Sequence, residues 1–315
     1  MRENSRITSR QKNMIQWYPG HMHKAKKELI KILPQADLVI EVLDARIPYS
    51  SQNPLLANLR KDKPCIKLLN KSDLADPAVL SEWRERLEVD SSVKSLSCNH
   101  QDAAISKLPG LCRAMFPARA NRSSMIYALI TGIPNVGKST LINRLAGRVI
   151  AKTGNEAALT RLQQRIEISS ELTLIDTPGM LWPKIENENS GYRLAATGAI
   201  RDTAIDLQDI AWFVAEFFRR NYTDQIMERF GLEQMPDTET GLIEAIAKKR
   251  GCIKVGGAVD YEKISRLLIA ELRNGDLGGL CLETPAMVAL ELAELETKKR
   301  VDAEKKAARL AARKK

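Results

Sequence analysis

A glycine-rich stretch, GIPNVGKST, begins at Gly132 and has the residue types and spacing of a loop that binds phosphate groups. Its glycines let the backbone turn N–H groups inward around an anion. Lys138 neutralises phosphate charge, and the Ser139 hydroxyl can bind Mg²⁺. The apolar run before the loop predicts a strand and TLINRLAG after it predicts a helix, which is the context this motif requires. The nucleotide contacts are therefore assigned to Asn135, Val136, Gly137, Lys138, Ser139 and Thr140.

A second motif, LTLIDTPG, places an acid at the end of an apolar run and a glycine three residues later. The carboxylate of Asp176 can hold Mg²⁺ through water, and the backbone N–H of Gly179 can meet the terminal phosphate of a nucleoside triphosphate. We assign Mg²⁺ to Ser139 and Asp176. Lys138 and Gly179 are assigned to stabilising the phosphoryl group as it is transferred.

A third motif, NKSD, has the spacing with which GTPases read guanine and comprises Asn70, Lys71 and Asp73. Guanine presents N1–H and an exocyclic amine side by side, so one carboxylate can accept from both, whereas adenine offers no such pair. The motif follows an apolar strand and should lie at its carboxyl end, where ligands bind in α/β sheets. The stretch SCN also follows a predicted strand, so the backbone of Ser97 could contact the base. An ATP-dependent protein with an accidental NKSD is the alternative.

The order of the motifs is unusual, because the guanine motif precedes the phosphate loop along the chain. In the common GTPase order the phosphate loop comes first. A site built from loops at one edge of a sheet does not depend on the order in which the chain reaches them. Natural termini often lie close together, so joining them and cutting elsewhere preserves the sheet. The sequence therefore predicts a circularly permuted GTPase domain.

Six β-rich runs alternate with helical stretches in the first part of the chain. Several read as continuous apolar segments, which is typical of parallel strands covered by helices on both faces. The fold class is therefore α/β with a mostly parallel sheet. The predicted strands are 37–45, 64–70, 93–98, 125–132, 165–169 and 172–176.

Beyond about residue 185 the pattern is helical to the end. The stretch 206–222 has apolar residues at helical spacing. Asp260 and Gly275 are predicted to cap the two ends of one helix, and Thr284 to cap the start of the last. We therefore predict three parts. Residues 1–185 form the permuted GTPase domain with a basic N-terminal arm, 186–290 a small helical domain, and 291–315 a basic helix or tail.

Charge is concentrated at the two ends of the chain. The net charge is +10; residues 1–31 hold eight basic against two acidic residues, and residues 298–315 hold nine against two. Such ends suit a polyanion such as nucleic acid, since Lys and Arg contacts to phosphates release counterions. The five cysteines have no zinc or disulfide spacing, and there is no membrane-spanning or signal segment. These features predict a soluble, cytoplasmic protein.

The motif set resembles the ribosome biogenesis GTPase A family, also called YlqF, of the circularly permuted GTPases. The resemblance covers at least residues 16–220 and rests on WYPGHMHKA (17–25), DAR (44–46), NKSD, GIPNVGKST and DTPGMLWPK (176–184). It implies a GTPase acting in late assembly of the large ribosomal subunit. Its helical C-terminal domain would bind ribosomal RNA, and the precursor of that subunit would be the partner. We expect a monomer that binds neither membranes nor DNA.

The group that orients the attacking water is not evident from the phosphate-binding motifs. Ras-like enzymes use a glutamine soon after D-x-x-G, but here Met180 follows Gly179, and a thioether cannot act as a base. The resemblance implies that His21 positions the water. The alternative is that His21 and His23 contact RNA or cap a helix. An RNA-binding scaffold that senses nucleotide but barely hydrolyses it also remains open.

The resemblance further implies that Asn135 helps to hold a potassium ion beside the phosphates, and that Thr160 reaches Mg²⁺ and the attacking water. The chain has Ala157 and Ala158 where the family usually has Pro-Gly. The cofactors expected are therefore GTP or GDP, Mg²⁺ and K⁺. Because DTPG leads directly into the helical domain, a change at Gly179 that depends on the γ-phosphate could re-aim that domain.

Overall fold

The computed structural model describes residues 15–99, 103–117, 125–150 and 164–312. Thr160, Ala157 and Ala158 lie outside these ranges, as do residues 1–14 of the basic N-terminal stretch. Within the described residues the chain forms a six-stranded sheet and eleven α-helices.

The sheet has the strand order β3-β2-β1-β4-β6-β5, and its β1, β2, β3, β4 and β6 are mutually parallel where they pair. Strand β5 runs antiparallel to β6 at one edge. All residues of β1 and β2 are buried, as their apolar runs predicted. This sheet confirms the predicted fold class. The strands are β1 Leu38–Asp44, β2 Cys65–Asn70, β3 Val93–Ser97, β4 Ile126–Gly132, β5 Gln164–Ser169 and β6 Leu172–Asp176.

The parallel register brings the functional loops to one edge of the sheet. Asp44 at the end of β1 lies opposite Asn70 at the end of β2, and β4 ends at Gly132 beside β1. Because five parallel strands end at this edge, the loops that follow them converge there although they are far apart in sequence. The helices of this part are α1 Gly20–Ile32, α2 Pro54–Arg60, α3 Pro77–Leu87, α4 Leu108–Ala114 and α5 Lys138–Ala146.

The second part of the chain is helical, as predicted. Its predicted caps are present. The Asp260 side chain accepts from Lys263 N, Gly275 ends that helix at φ 86°, and Thr284 Oγ1 accepts from Met287 N. The helices are α6 Glu188–Ala196, α7 Leu207–Asn221, α8 Thr223–Phe230, α9 Glu239–Lys249, α10 Tyr261–Asn274 and α11 Pro285–Ala312.

Helix α7 forms the centre of the helical part. Of its predicted apolar stripe, Ile210, Val214, Phe217 and Phe218 are buried and Leu207 is half-buried. One continuous apolar cluster includes residues of the strands and of α6, α7, α9 and α10. The stripe is therefore core, and the helical part shares one apolar core with the sheet domain.

Helix α11 continues without a break across residues 290 and 291 and ends at Ala312. It includes residues 291–312 of the segment that the sequence left open as a helix or a tail, and the exposed residues 298–307 lie on it. Residues 313–315 lie outside the described residues. The division into three domains remains a prediction. No helix among the described residues is both long enough and apolar enough to span a bilayer.

Candidate nucleotide site

The loop after β2, residues 70–76, is here called the guanine loop. Asn70 Nδ2 donates to the carbonyl oxygen of Val136 at 2.7 Å, so the NKSD motif and the phosphate loop are joined directly. Lys71 has a left-handed backbone with φ 60°, a short 3₁₀ turn covers Ser72–Leu74, and Asp73 is exposed. The side chain that would read guanine is thus presented at the sheet edge where the phosphate loop lies.

The SCN stretch adjoins the guanine loop. Strand β3 ends at Ser97, and Ser72 N donates to Cys98 O at 3.1 Å while Cys98 N donates to Leu69 O at 2.9 Å. The hydroxyl of Ser97 is buried and has no hydrogen-bond partner in the described part of the chain. A buried polar atom of this kind commonly has a ligand or water as its partner. The structure thus brings Ser97 beside the guanine motif.

The phosphate loop turns through two residues with positive φ, Asn135 at 58° and Gly137 at 92°, and helix α5 begins at Lys138. A Cβ at Gly137 would lie 2.4 Å from Asn70 Nδ2, and one at Gly132 would lie 2.7 Å from Val42 O. Only glycine therefore fits both positions. The loop directs the N-terminus of α5 towards the site, and that helix end favours anions.

Two charged groups of the phosphate end are buried against each other. Lys138 Nζ contacts Asp176 Oδ1, and these two residues are 6% and 0% exposed. Burial raises the pKa of Asp176 and lowers the pKa of Lys138, in both cases against their mutual attraction. Asp176 Oδ2 is buried and has no hydrogen-bond partner within the described residues. An acidic oxygen left in this way suits Mg²⁺ or a water bound to it.

The DTPG turn packs on the phosphate loop. A Cβ at Gly179 would lie 3.2 Å from the Pro134 Cα, and Met180 N donates to Gly132 O at 3.1 Å. Met180 is 2% exposed, so its thioether belongs to the core. Ser139 is half-buried and Thr140 is exposed at the start of α5. Ser139, Asp176 and Gly179 are thus carried by loops that touch one another, which meets the requirement for a magnesium and phosphate site.

His21 is exposed in the first turn of α1, next to the segment that follows DTPG. Met22 Sδ accepts from Leu181 N at 3.5 Å, and the Gln16 carboxamide bonds the Ile185 backbone at 3.0 and 3.1 Å. Partial burial and the charge of Arg201 lower the pKa of His21, which disfavours the protonated imidazole. A neutral imidazole can accept a hydrogen bond from water.

Helix α1 has Pro19 as its N-cap residue and no side-chain cap, so His21 does not cap it. The carboxamide of Asn135 donates to Gly198 O at 2.8 Å, which joins the phosphate loop to the turn after α6. That contact involves the nitrogen, whereas a potassium ion would need the oxygen.

Sequence reasoning did not assign a role to Asp44 and Arg46, the DAR residues. Asp44 Oδ2 accepts from Arg46 Nη2 at 2.8 Å and from Lys71 Nζ at 3.0 Å, and both Asp44 and Arg46 are 1% exposed. Burial alone would raise the pKa of Asp44, but the charges of Arg46 and Lys71 lower it well below its usual value. An acid ending an apolar strand, as Asp176 does, is the signal that could have indicated Asp44.

The fold and these loops define the class of protein. It has a GTPase-type nucleotide site in which the guanine loop precedes the phosphate loop along the chain. The family model described as 50S ribosome-binding GTPase matches residues 127–246.

Known proteins narrow the class. The chain is 43% identical over 279 residues to ribosome biogenesis GTPase A of Bacillus licheniformis, covering 86% of this chain and 99% of that relative. It is 32% identical to mitochondrial ribosome-associated GTPase 1 of Xenopus tropicalis, covering 87% and 96%. The crystal structure of GNP-bound YlqF from Thermotoga maritima matches with a TM-score of 0.59 at 26% identity, covering 83% and 98%. The chain therefore belongs to the ribosome biogenesis GTPase A family and is a GTPase.

Proposed function

We propose that this GTPase binds an assembling large ribosomal subunit, hydrolyses GTP to GDP and phosphate there, and docks on ribosomal RNA according to the bound nucleotide. The observation that carries the proposal is the Asn70 to Val136 hydrogen bond at 2.7 Å, because it joins a guanine-reading motif to a phosphate loop. The names of the relatives support the ribosomal setting. A cytoplasmic, monomeric protein that binds neither membranes nor DNA remains our expectation.

In this proposal Asp73 accepts from the N1–H and amine of guanine, and Asn70, Lys71 and the Ser97 backbone hold the base. Asp73 is exposed and therefore accessible to a ligand. Selectivity for guanine follows from hydrogen-bond complementarity, because adenine would leave the carboxylate without donors.

The phosphates would be bound by the backbone of the loop from Asn135 to Thr140 and by Lys138. When bound, Mg²⁺ would neutralise β- and γ-phosphate charge. Ser139 and Asp176 would hold it, and Thr160 is proposed as a further ligand. The buried, unpartnered Oδ2 of Asp176 supports the assignment. The N–H of Gly179 would contact the γ-phosphate, and Asn135 would help to hold K⁺.

His21 is the proposed water-positioning residue. Its lowered pKa favours the neutral imidazole, and the adjacent Met22 accepts a hydrogen bond from Leu181 N in the segment that follows Gly179. Met180 is buried and apolar, so it cannot take this role. The proposed order of events is that nucleotide binding closes the DTPG turn and that His21 then orients water towards the γ-phosphate.

Two exposed basic surfaces are proposed to contact RNA. On α1 the lysines that face solvent include Lys24, Lys27 and Lys31. On α11, Lys298 and Lys299 lie near Glu188 and Glu186, while Arg300 and the basic residues that follow extend beyond them. Exposed pairs of this kind are weak and would exchange readily with phosphates. Binding through both surfaces should weaken steeply as salt rises.

Nucleotide-dependent docking would use the continuity between DTPG and the helical part. Gly179 packs on the phosphate loop, and the segment after it leads into α6. A shift of Gly179 on loss of the γ-phosphate would therefore move the start of α6. Equal distances between the two parts in GTP-analogue and GDP complexes on the ribosome would contradict this step.

The test is turnover of GTP and of ATP by the wild type, His21→Ala and His23→Ala, with and without large ribosomal subunits, in potassium and in sodium buffer. We expect subunits to stimulate GTP turnover alone, His21→Ala to abolish the stimulation, and His23→Ala to retain it. His23 is the matched control because it is also exposed on α1, two residues away, against Tyr18.

Each of the other outcomes identifies a different error. Equal turnover of ATP would remove the guanine assignment, and an absence of stimulation would favour the nucleotide-sensing scaffold. Equal loss in both histidine variants would indicate that the two histidines contribute alike, for example by contacting RNA, and that His21 has no special role in positioning water. Stimulation that persists undiminished in sodium would remove the potassium site.

A further inference from the structure

The turn that joins α10 to α11, residues 275–283, packs against the underside of the guanine loop. Leu280 N donates to Leu74 O at 3.0 Å. A Cβ at Gly279 would lie 2.9 Å from Ala75 O, and one at Gly275 would lie 2.5 Å from Leu74 Cδ2. Backbone from two parts of the chain that are remote in sequence therefore meets at van der Waals distance, directly below the residues assigned to the base.

A small apolar cluster completes this contact. It is separate from the main core, and Cys281 is its one fully buried member from the helical part. The Cys281 thiol also lies 3.5 Å from Ala45 O and 3.9 Å from Asp76 O. Without that side chain the apolar residues beneath the guanine loop would face a gap. The members of the cluster are Leu43, Ala45, Leu69, Ala75, Leu80 and Cys281.

A buried chain of charges leads from the guanine motif to α10. Lys71 Nζ contacts Asp44, Asp44 holds Arg46, and Arg46 Nη1 donates to Leu272 O at 2.9 Å. Leu282 N in turn donates to Arg46 O at 2.8 Å. The guanidinium is fully buried, so its contacts on both sides are needed to compensate its loss of hydration. The position of Lys71 is therefore tied to the helical part.

We propose that the α10–α11 turn supports the guanine site. It holds the guanine loop in the conformation that binds the base, and it thereby sets the rate at which the nucleotide dissociates. The inference rests on the proposed assignment of Asn70, Lys71 and Asp73 to guanine. The guanine loop contains a left-handed residue and a single 3₁₀ turn, and it loses conformational entropy when it is ordered. The contacts from the α10–α11 turn offset this loss.

The contact between the helical part and the guanine loop offers a route for regulating nucleotide release. A partner that pulled the helical part away from the sheet would remove the contacts at Leu74, Ala75 and Arg46 together. The guanine loop would lose its support, and bound GDP would leave faster. RNA that binds the helical part could thus promote nucleotide exchange without touching the nucleotide. This route acts at the base, whereas the step at Gly179 acts at the γ-phosphate.

The primary test is Gly279→Ala in the full chain, with Gly110→Ala as the control. Both glycines lie outside the positive-φ region, so a methyl group adds no backbone strain, but only the Gly279 methyl would meet the backbone of Ala75. We expect the dissociation rate of a fluorescent GDP to rise on the order of 10-fold in Gly279→Ala and to stay unchanged in Gly110→Ala. Selectivity for GDP over IDP, which lacks the amine, should also fall.

A second pair of variants keeps the test usable if Gly279→Ala folds poorly. Gly275→Ala and Gly231→Ala both replace a helix-ending glycine with positive φ, at 86° and 61°, but only the first would meet Leu74. We expect faster GDP release in Gly275→Ala than in Gly231→Ala. Adding Leu74→Ala to Gly275→Ala removes the clashing methyl groups and should restore a rate near that of Gly231→Ala.

The outcomes separate the inference from the proposed function. Asp73→Asn should exchange guanine preference for xanthine preference, because an amide presents a donor and an acceptor. If Asp73→Asn fails to do so, the guanine assignment is wrong. If it succeeds while Gly279→Ala and Gly275→Ala release GDP at the rates of their controls, the positioning role is wrong. Lower thermal stability with an unchanged release rate would likewise indicate a purely structural contact.

Discussion

The two ends of the nucleotide site are built differently. At the base end, the groups that position the guanine loop are separate from the exposed carboxylate that would read the base, and they are held by buried contacts to α10 and the turn after it. At the phosphate end, the groups that would bind the ligand are engaged with protein partners: Lys138 pairs with Asp176, and Asn135 donates to Gly198 O in the turn after α6. The base end is therefore ordered before a nucleotide binds, whereas the groups at the phosphate end would have to leave their protein partners to bind one.

This difference assigns different tasks to the two ends. A preorganised base loop gives selectivity, because no rearrangement is needed before guanine is distinguished from adenine. At the phosphate end, the exchange of partners would couple the binding of nucleotide to the binding of Mg²⁺. If Lys138 turned to a phosphate of a bound nucleotide, Asp176 would lose its partner and become available to Mg²⁺, so we expect nucleotide and metal to bind cooperatively. The phosphate end can therefore report the state of the nucleotide to the turn after α6.

The largest effect is expected from Lys138→Met. A charged hydrogen bond to a phosphate contributes on the order of 1.5–3 kcal/mol, so the affinity for GDP and GTP should fall by about 10- to 100-fold or more for each such bond lost. Isothermal titration of both nucleotides measures this change. The variant should also lose the cooperativity between Mg²⁺ and nucleotide, because Asp176 no longer has a partner to exchange.

Lys67→Met is the matched control, because Lys67 also forms a buried ion pair, with Glu41 on the neighbouring strand. Breaking that pair should cost about 3–5 kcal/mol of folding free energy. It should change the affinity of the folded protein for nucleotide by less than about threefold, since the two sites are independent. A comparable affinity loss in Lys67→Met would mean that Lys138 acts through stability.

A smaller effect on binding is expected at the base end from Asp44→Asn. The change leaves the buried Arg46 and the half-buried Lys71 without their counter-ion, which should lower the free energy of unfolding by about 3–5 kcal/mol. Because Lys71 is no longer fixed, GDP should dissociate roughly 10-fold faster. Denaturant unfolding and stopped-flow release measure the two quantities.

The pH dependence provides a further check on Asp44. Its pKa is lowered in the folded protein, so its stabilising contribution is complete above the pKa of the unfolded chain, near 4, and decreases as the pH falls below that value. The stability difference between wild type and Asp44→Asn should therefore be constant at neutral pH and should shrink in acid. A difference that grows in acid would contradict the ion-pair explanation.

The base end and the phosphate end also differ in how far their structure could be predicted from the sequence. The strands were predicted correctly because buried parallel strands form apolar runs. The three motifs could be located because each is local in the sequence, and the roles assigned to their residues remain predictions. The antiparallel direction of β5 was not specified, since it depends on which strand it pairs with. The contacts of Gly279 and Cys281 with the guanine loop could not be predicted from the sequence, because they join residues about 200 positions apart. A glycine that makes such a contact looks the same in the sequence as any other turn glycine.

The smallest effect is expected from Arg201→Gln, which tests whether His21 acts at the phosphate end. Partial burial and the positive charge of Arg201 both lower the pKa of His21. Water positioning needs the neutral imidazole, so ribosome-stimulated hydrolysis should be constant above that pKa and fall below it. Removing the charge makes protonation of His21 easier, which moves the fall in rate to higher pH and should lower the relative rate at pH 6 by roughly twofold.

The measurement is the pH dependence of kcat in wild type, Arg201→Gln and His23→Ala. An acid limb that stays in place in Arg201→Gln, or that moves equally in His23→Ala, would show that His21 is not the titrating group. Water would then have to be oriented by groups at the phosphate end itself.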